Sequence, residues 1–213
     1  MIATSHEISP KIGIMADSHG QAQQIADALL FLKANGCKAI YHLGDICDSA
    51  HPETADPCVT LLRQNRVMGI KGNNDHLVVV NHQGQQQDRV TPETIEFLSH
   101  LPMTLTLGDM ILAHSLPFVE ERGLSSMVGA LGQAEAKLFF QTYPKKLLIR
   151  GHSHLPEILF WQNQSVVNRR ISTDKPLLIE DVKPAIITCG ALDQGFVMVW
   201  DRAGKMIESH TCF

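Results

Sequence analysis

The sequence predicts an α/β protein, a four-layer α/β/β/α sandwich in which two mixed β-sheets form the core and helices lie outside. Strand and helix signals alternate through the first half, whereas hairpin signals dominate the second half. The chain has 213 residues with 44% hydrophobic content, which is enough for one domain with a sizeable core. We therefore predict a single domain over residues 1–213.

The first half begins with a strand that feeds a helix. Apolar residues recur at helical spacing from Ala22 to Leu32, until Asn35-Gly36 stops them. Segment 48–57 contains two prolines and several polar residues, so we expect a loop over the functional site and then a short helix. Short apolar runs predict buried strands at Ile12 to Ala16, Ala39 to Leu43 and Val67 to Ile70.

A further helix is predicted to begin at Thr91. Thr91 suits the N-cap, Pro92 suits the first helical position, and Glu93 places an acid in the first turn. We expect this helix to end near Leu101-Pro102.

The second half carries the signals of antiparallel pairing. Met103 to Leu107 and Met110 to Ala113 flank Gly108-Asp109, a turn pair that favours positive φ and therefore a hairpin. An amphipathic helix, closed by Tyr143-Pro144, is predicted from Met127, Leu131, Ala134 and Leu138. Further strands are predicted at Leu147 to Ile149, Glu157 to Trp161, Ser165 to Asn168, Ala185 to Thr188 and Phe196 to Trp200, with a last hairpin at Arg202-Ala203-Gly204.

Composition excludes several classes of protein. The net charge is −4 and no long charged block occurs, so the sequence lacks the basic footprint of a nucleic-acid binder. Met1 to Lys11 has no apolar core typical of a secretory signal, and no apolar run approaches the roughly 18 residues that span a bilayer. The five cysteines form no Cys-x-x-Cys pair, which argues against a disulfide framework. We expect a cytoplasmic protein without nucleic-acid or membrane partners; an oligomer stays open.

Five short segments end in side chains that bind metal ions, and four of them directly follow a short apolar run. Carboxylate, imidazole and amide oxygen together suit manganese, iron, zinc or nickel better than magnesium or calcium. The segments are Asp17-Ser18-His19, Gly44-Asp45, Gly72-Asn73-Asn74-Asp75, Ala113-His114-Ser115 and Gly151-His152-Ser153-His154.

Convergence of these side chains requires turns, because alternate residues of an extended strand point to opposite faces. Asp17 and His19 can meet only if the chain turns after the strand, as Gly20 permits. The same holds for His152 and His154. Two metal ions that share one site need a bridging ligand, and Asp45, the lone acid of its segment, is expected to take that role.

Each segment alone has a simpler interpretation. Asp45 is also suited to cap a helix, Asn73-Asn74 after a glycine is a good turn, and the histidines are also compatible with an exposed surface. The joint order and spacing of the five segments favour the metal site over these alternatives.

The ordered set Asp-x-His, Gly-Asp, Gly-Asn, His and Gly-His-x-His resembles the calcineurin-like metallophosphoesterase superfamily, and the length resembles its small bacterial phosphodiesterase branch. The resemblance implies that Asp17, His19 and His154 hold one metal ion, that Asn73, His114 and His152 hold the other, and that Asp45 bridges them. It implies two divalent transition metal ions, manganese foremost, and a small phosphorylated substrate. It further implies in-line attack by a hydroxide that bridges the metal ions.

One position departs from the family pattern. Many members carry histidine after the motif asparagine, where it is thought to protonate the leaving oxygen, but this chain has Asn74. Because an amide cannot deliver a proton at neutral pH, we expect weaker action on alkyl esters and better action on aryl or phosphoanhydride leaving groups. We expect catalytic roles for Asn74 and Asp45 and substrate contacts from Asn73 and Asn74. His76 is a possible substitute donor.

Three functions are compatible with this pattern. The first is a phosphoesterase that acts on a small phosphodiester, phosphomonoester or nucleotide, and the second is a nucleotide pyrophosphohydrolase. The third is a protein-binding module, since a retromer subunit resembles this fold but lacks intact ligands, whereas every ligand position is filled here.

His42 is a candidate to orient a ligand by hydrogen bond. Arg169-Arg170 has two interpretations: the pair contacts the substrate phosphate, or it lies in a solvated loop.

Overall fold

The computed structural model describes residues 11–84, 89–180 and 182–213. Its strands are β1 (Lys11–Met15), β2 (Ala39–His42), β3 (Met68–Gly69), β4 (Thr104–Leu107), β5 (Met110–Ala113), β6 (Leu147–Arg150), β7 (Glu157–Gln162), β8 (Ser165–Arg170), β9 (Leu177–Leu178), β10 (Ala185–Thr188), β11 (Phe196–Asp201) and β12 (Met206–Thr211). Its helices are α1 (Ala22–Ala34), α2 (Ala55–Gln64), α3 (Asn73–His82), α4 (Pro92–Ser99), α5 (Val119–Arg122) and α6 (Gln133–Thr142).

Two six-stranded mixed sheets form the core, in the orders β3-β2-β1-β11-β12-β9 and β4-β5-β6-β10-β7-β8. In the first sheet, β1, β2 and β3 are parallel, and β11 and β12 continue it as antiparallel strands. In the second sheet, β5, β6 and β10 are parallel, and β4, β7 and β8 pair antiparallel at its two edges. The strands of the first half pair parallel at one end of the first sheet, and the hairpins predicted in the second half are antiparallel. The centre of the second sheet differs from the prediction, because β5, β6 and β10 pair parallel.

The side chains of β1 show how the four layers arise. Ile12 and Ile14 pack into the core between the two sheets, whereas Met15 packs on the other face with Ile25 and Leu32 of α1. Residues two apart on a strand share a face, so one sheet contributes to two cores. A third core lies between the second sheet and α6. The α/β/β/α prediction is therefore confirmed.

The predicted amphipathic helix at residues 127–138 was wrong in its start and in its buried face. Met127 lies in a separate 3-10 turn (Gly123–Met127), and α6 begins only at Gln133, after Gly132 as N-cap. Leu138 is 42% exposed, whereas Phe139 and Phe140 are buried in the third core. The apolar spacing that suggested one helix combined residues of two separate elements.

Other differences concern short elements. Asn73-Asn74, read alone as a turn, opens α3, and the two-residue strand β9 carried too little signal to be expected. The predicted loop at 48–57 contains a 3-10 turn at Pro52–Thr54 before α2. The expectation about a signal segment in Met1 to Lys11 falls almost entirely outside the described residues. Within the described ranges, none of the helices has the length and apolarity needed to cross a membrane.

We predict that Thr91→Ala destabilises the protein by about 1 kcal/mol, the usual cost of losing an N-cap. Thr91 Oγ1 accepts a hydrogen bond from the amide of Thr94 and donates one to Asp56 Oδ1 at 2.9 Å, so the substitution also removes one hydrogen bond between α4 and α2, while the backbone amide of residue 91 still donates to Asp56. Urea unfolding measures the change. Thr60→Ala, at an exposed position inside α2, is the control and should leave the midpoint unchanged or raise it slightly, since alanine favours a helix; an equal loss in both variants would contradict the capping role.

Candidate metal centre

The candidate ligands lie just beyond the carboxyl ends of parallel strands from both sheets. Because these ends point to the same side of the sandwich, five separate loops meet there. Asp17 follows β1, Asp45 follows β2, Asn73 follows β3, His114 follows β5, and His152 and His154 follow β6.

Left-handed backbone conformations turn the chain at five candidate ligands, so that side chains two residues apart can point to the same site. The φ angles of Asp17, His19, Asp45, His152 and His154 are 54°, 43°, 53°, 68° and 61°. Positive φ is uncommon outside glycine and clusters at functional sites. Backbone hydrogen bonds between the loop after β1 and the loop after β2 stabilise these turns. Asp17 N donates to Gly44 O at 3.0 Å and His19 N donates to Asp45 O at 3.0 Å.

One group of metal-binding atoms comes from Asp17, His19 and His154, whose ligand atoms all lie within 4.8 Å of one another. The two Nε2 atoms of His19 and His154 are only 3.2 Å apart. Asp17 is fully buried, and its Oδ1 has no hydrogen-bond partner among the described residues. Its Oδ2 accepts a hydrogen bond from the amide of His152 at 2.9 Å, which orients the carboxylate.

A second group comes from Asp17, Asp45 and His114, again within 4.8 Å. Nδ1–H of His114 donates to the carbonyl of Leu43 at 2.8 Å, so Nε2 of the neutral ring carries a lone pair. That Nε2 lies 3.5 Å from Asp45 Oδ1 and 3.1 Å from Asn73 Oδ1. His152 Nδ1 also lies 3.1 Å from Nε2 of His114. Lone pairs facing one another at these distances fit a cation.

The charges of the site support the same conclusion. Burial raises the pKa of Asp17 well above its ordinary value, and the negative charge of Asp45 raises it further. Burial also lowers the pKa of His114, and it lowers the pKa of His152 to about 4. His114 and His152 are therefore neutral at neutral pH, as metal ligands must be. The charge of Arg150 acts on Asp17 without a hydrogen bond, and a divalent cation would balance the two buried carboxylates directly. The residues present fit metal ions.

Both the nitrogen and the oxygen of the Asn74 side-chain amide make hydrogen bonds. Its Nδ2 donates to Asp45 Oδ2 and its backbone N donates to Asp45 Oδ1, both at 2.8 Å. Its Oδ1 accepts hydrogen bonds from Ser49 Oγ at 2.6 Å and Ser49 N at 3.2 Å. Asn74 therefore clamps the carboxylate of Asp45. Its expected catalytic and substrate-binding roles remain predictions.

Asp75 fixes the loop from which Asn73 and Asn74 project. Its carboxylate accepts hydrogen bonds from the amides of Gly72 at 2.9 Å and Cys47 at 3.0 Å, so it joins the loops after β2 and β3. Asp75 is fully buried, and burial raises its pKa to about 7.

His42 acts on a loop rather than directly on a ligand. Ser18 Oγ donates to Ile46 O at 3.1 Å, so it accepts a hydrogen bond from Nε2–H of His42 at 2.9 Å. Burial lowers the pKa of His42 to about 3, which keeps the ring neutral. Because Ser18 lies between Asp17 and His19, this chain of hydrogen bonds fixes the turn that brings both ligands together.

Sequence reasoning missed several supporting residues. Ser49, which holds Asn74, and Leu43, whose carbonyl sets the tautomer of His114, carry no signal in a single sequence because their contacts cross between loops. Arg169 and Arg170 end β8 rather than lying in a loop, and the guanidinium of Arg169 lies 4.7 Å from the ring centroid of Phe160.

Comparison with known proteins agrees with the geometry. A family model described as the calcineurin-like phosphoesterase superfamily domain matches residues 11–169. A search of curated protein sequences found no significant match.

Solved structures with the same fold include three whose sequences have diverged far from this one. A metallophosphoesterase from Sphaerobacter thermophilus is 20% identical, with a TM-score of 0.74 over 94% of this chain and 86% of that one. An archaeal phosphodiesterase is 14% identical, with a TM-score of 0.53 over 93% and 98% of the two chains. A hypothetical protein from Pyrococcus horikoshii is 12% identical, with a TM-score of 0.64 over 94% and 87%.

We predict that Gly72→Ala abolishes tight Mn²⁺ binding. A Cβ at residue 72 would lie 2.2 Å from Asp45 Oδ1 and 2.1 Å from Asp45 N, so Asp45 must move. Gly132→Ala is a matched control, because Gly132 is also an extended N-cap glycine but its Cβ would meet only the flexible end of Glu135 at 3.1 Å. Isothermal titration with Mn²⁺ measures both. Wild-type affinity in Gly72→Ala would contradict the placement of Asp45.

Proposed function

The chain belongs to the calcineurin-like phosphoesterase superfamily and is therefore a phosphoric ester hydrolase, and from this premise we propose a finer function. The protein hydrolyses a small phosphodiester, phosphomonoester or nucleotide with the help of two divalent metal ions. The observation that carries the proposal is the convergence of two groups of lone-pair donors, both of which contain Asp17, in one buried cluster.

The first proposed ligand set coincides with one group, and the second shares His114 with the other group. Asp17, His19 and His154 hold one ion, which agrees with the first group. Asn73, His114 and His152 hold the other, and the contacts of His114 Nε2 with Asn73 Oδ1 and His152 Nδ1, both at 3.1 Å, support this set.

Asp45 is proposed as the bridging carboxylate. It lies beside His114, and Asn74 holds both of its oxygens from the other side. Asp17 is the residue common to the two groups of atoms, so its carboxylate could contribute to holding either ion.

When bound, the two ions make water nucleophilic at neutral pH and neutralise charge on the phosphoryl oxygens. The protein contributes orientation. Leu43 sets the tautomer of His114, and Asn74 clamps Asp45. These contacts hold the ligands before metal binding, so little reorganisation is left to the reaction. Imidazole, carboxylate and amide ligands suit manganese first, and also iron, zinc or nickel.

Residue 74 provides no proton for the leaving group, which distinguishes this site from a general phosphoesterase. An amide cannot give up a proton, and the Nδ2 of Asn74 already donates to Asp45. The chain therefore offers no proton from this position to a departing alkoxide. Aryl and phosphoanhydride leaving groups need none, so a nucleotide pyrophosphohydrolase is the second candidate that this observation favours.

We predict that the purified protein hydrolyses bis(p-nitrophenyl) phosphate when Mn²⁺ is added, and that a chelator abolishes the activity. Asp45→Asn should lower kcat/KM more than about 100-fold, since even partners behind the ligands cost 10–100-fold when lost. Asp174→Asn, at an exposed position, is the control and should retain activity. A wild-type protein that binds no metal and hydrolyses no aryl ester would favour the binding module instead.

We further predict that Asn74→His raises the ratio of alkyl to aryl ester hydrolysis, because an imidazolium can protonate an alkoxide. Absolute rates should fall, since the contacts of the amide with Asp45 and Ser49 are lost. Asn74→Ala is the control, because it loses the same contacts and adds no proton donor. Equal alkyl-to-aryl ratios in the two variants would show that position 74 does not decide the choice of leaving group.

A further inference from the structure

Arg150, the last residue of β6, is the largest fully buried side chain in the described part of the protein. Its guanidinium makes four hydrogen bonds. Nε donates to Ser115 O at 2.8 Å, one terminal nitrogen donates to Ser115 Oγ at 2.9 Å, and the other donates to Ser153 Oγ at 2.6 Å and Thr188 Oγ1 at 3.2 Å.

All four acceptors are neutral, and over the described ranges no carboxylate accepts a hydrogen bond from Arg150. Burial lowers the pKa of Arg150 to about 10, so it remains charged at neutral pH. The charges of Asp17 and Glu157 act on Arg150 favourably but without a hydrogen bond. Burying a charged group without a hydrogen-bonded carboxylate is costly to the stability of the fold. A residue kept at such a cost calls for a role that an apolar side chain of equal size cannot fill.

The acceptors lie next to proposed metal ligands. Ser115 follows His114 directly, and Ser153 lies between His152 and His154. The guanidinium thus connects the loop after β5 to the loop after β6, and Thr188 anchors it to β10. A planar fork can hold these acceptors at fixed angles, whereas the single ammonium of lysine cannot.

Two other contacts join these loops. Gly151 N donates to His114 O at 3.0 Å, which pairs their backbones at the start of the second loop, and the rings of His114 and His152 contact each other with centroids 5.0 Å apart. Beyond that point the chain leaves the strand geometry, and His152 and His154 both have positive φ. Ser153, midway between them, is the residue that Arg150 holds.

We propose that Arg150 is a positioning residue that sets the separation between His114 and the His152–His154 loop, and thereby the spacing of the two metal ions. The inference rests on the proposed dinuclear site. Arg150 acts from behind the ligands, through Ser115 and Ser153, and has no part in substrate contact.

The test uses Mn²⁺ alone, without substrate. The variants are Arg150→Met, which removes the fork and the charge, and Arg150→Lys, which keeps the charge. Arg170→Met, at an exposed position on β8, is the matched control. Isothermal titration gives affinity and stoichiometry, and electron paramagnetic resonance reports the magnetic coupling between two bound Mn²⁺ ions, which depends on their distance. Thermal unfolding of the metal-free proteins reports stability separately.

We expect Arg150→Met to bind Mn²⁺ about 10–100-fold more weakly at one or both sites and to lose or change the coupling signal. Arg150→Lys should also fail to give the wild-type signal, because it keeps the charge but lacks the planar fork. Arg170→Met should match the wild type. If Arg150→Met does not fold, the Ser115→Ala/Ser153→Ala double variant replaces it, with the same expected change in coupling.

Two results would overturn the inference in distinguishable ways. If the wild type binds two coupled Mn²⁺ ions and the Arg150 or double-serine variants show the same affinity and spectrum, Arg150 is only a stabilising residue and the proposed function stands. If the wild type itself binds no coupled pair, the dinuclear proposal fails and this inference fails with it.

Discussion

Two carboxylates buried side by side impose the constraint on which the rest of this structure depends. Asp17 is fully buried and Asp45 is 3% exposed, and burial together with the negative charge of Asp45 raises the pKa of Asp17, although the buried Arg150 partly opposes this. The surrounding histidines cannot relieve this, because burial keeps His114 and His152 neutral. Divalent cations would relieve this repulsion, so the electrostatics of the cluster and its proposed chemistry have one origin.

The second requirement is steric, and it accounts for the glycines of the motifs. At residue 44, with φ at 93°, a Cβ would lie 2.7 Å from the amide nitrogen of Gly72, and at residue 151 a Cβ would lie 2.7 Å from Asp17 Oδ2. The loops approach so closely that no side chain fits between them. The left-handed turns at five ligand residues add strain, and the rigid strands on which the loops are mounted maintain it.

Much of the fold was predictable because its signals are local. The hairpin of β4 and β5 and the cap of α4 depend on neighbouring residues, and both formed at the expected places. The prediction failed where tertiary contacts overrode local spacing. Met127 and Leu138 fit one helical stripe, yet Met127 is buried in a 3-10 turn and Leu138 is exposed on α6. The buried face of α6 was decided by the sheet against which Phe139 and Phe140 pack.

By itself the sequence determined which chemistry is available, since the residue types and their order give the candidate ligands and identify the family. Only the tertiary structure decided how that set is arranged. Asp17 and Asp45 come together because the ends of β1 and β2 keep pairing beyond the sheet, and Arg150 reaches Ser115 and Ser153 because β5 and β6 are neighbours. The reason is physical: a single chain specifies local conformation through adjacent residues, whereas contacts between loops exist only after both sheets have folded.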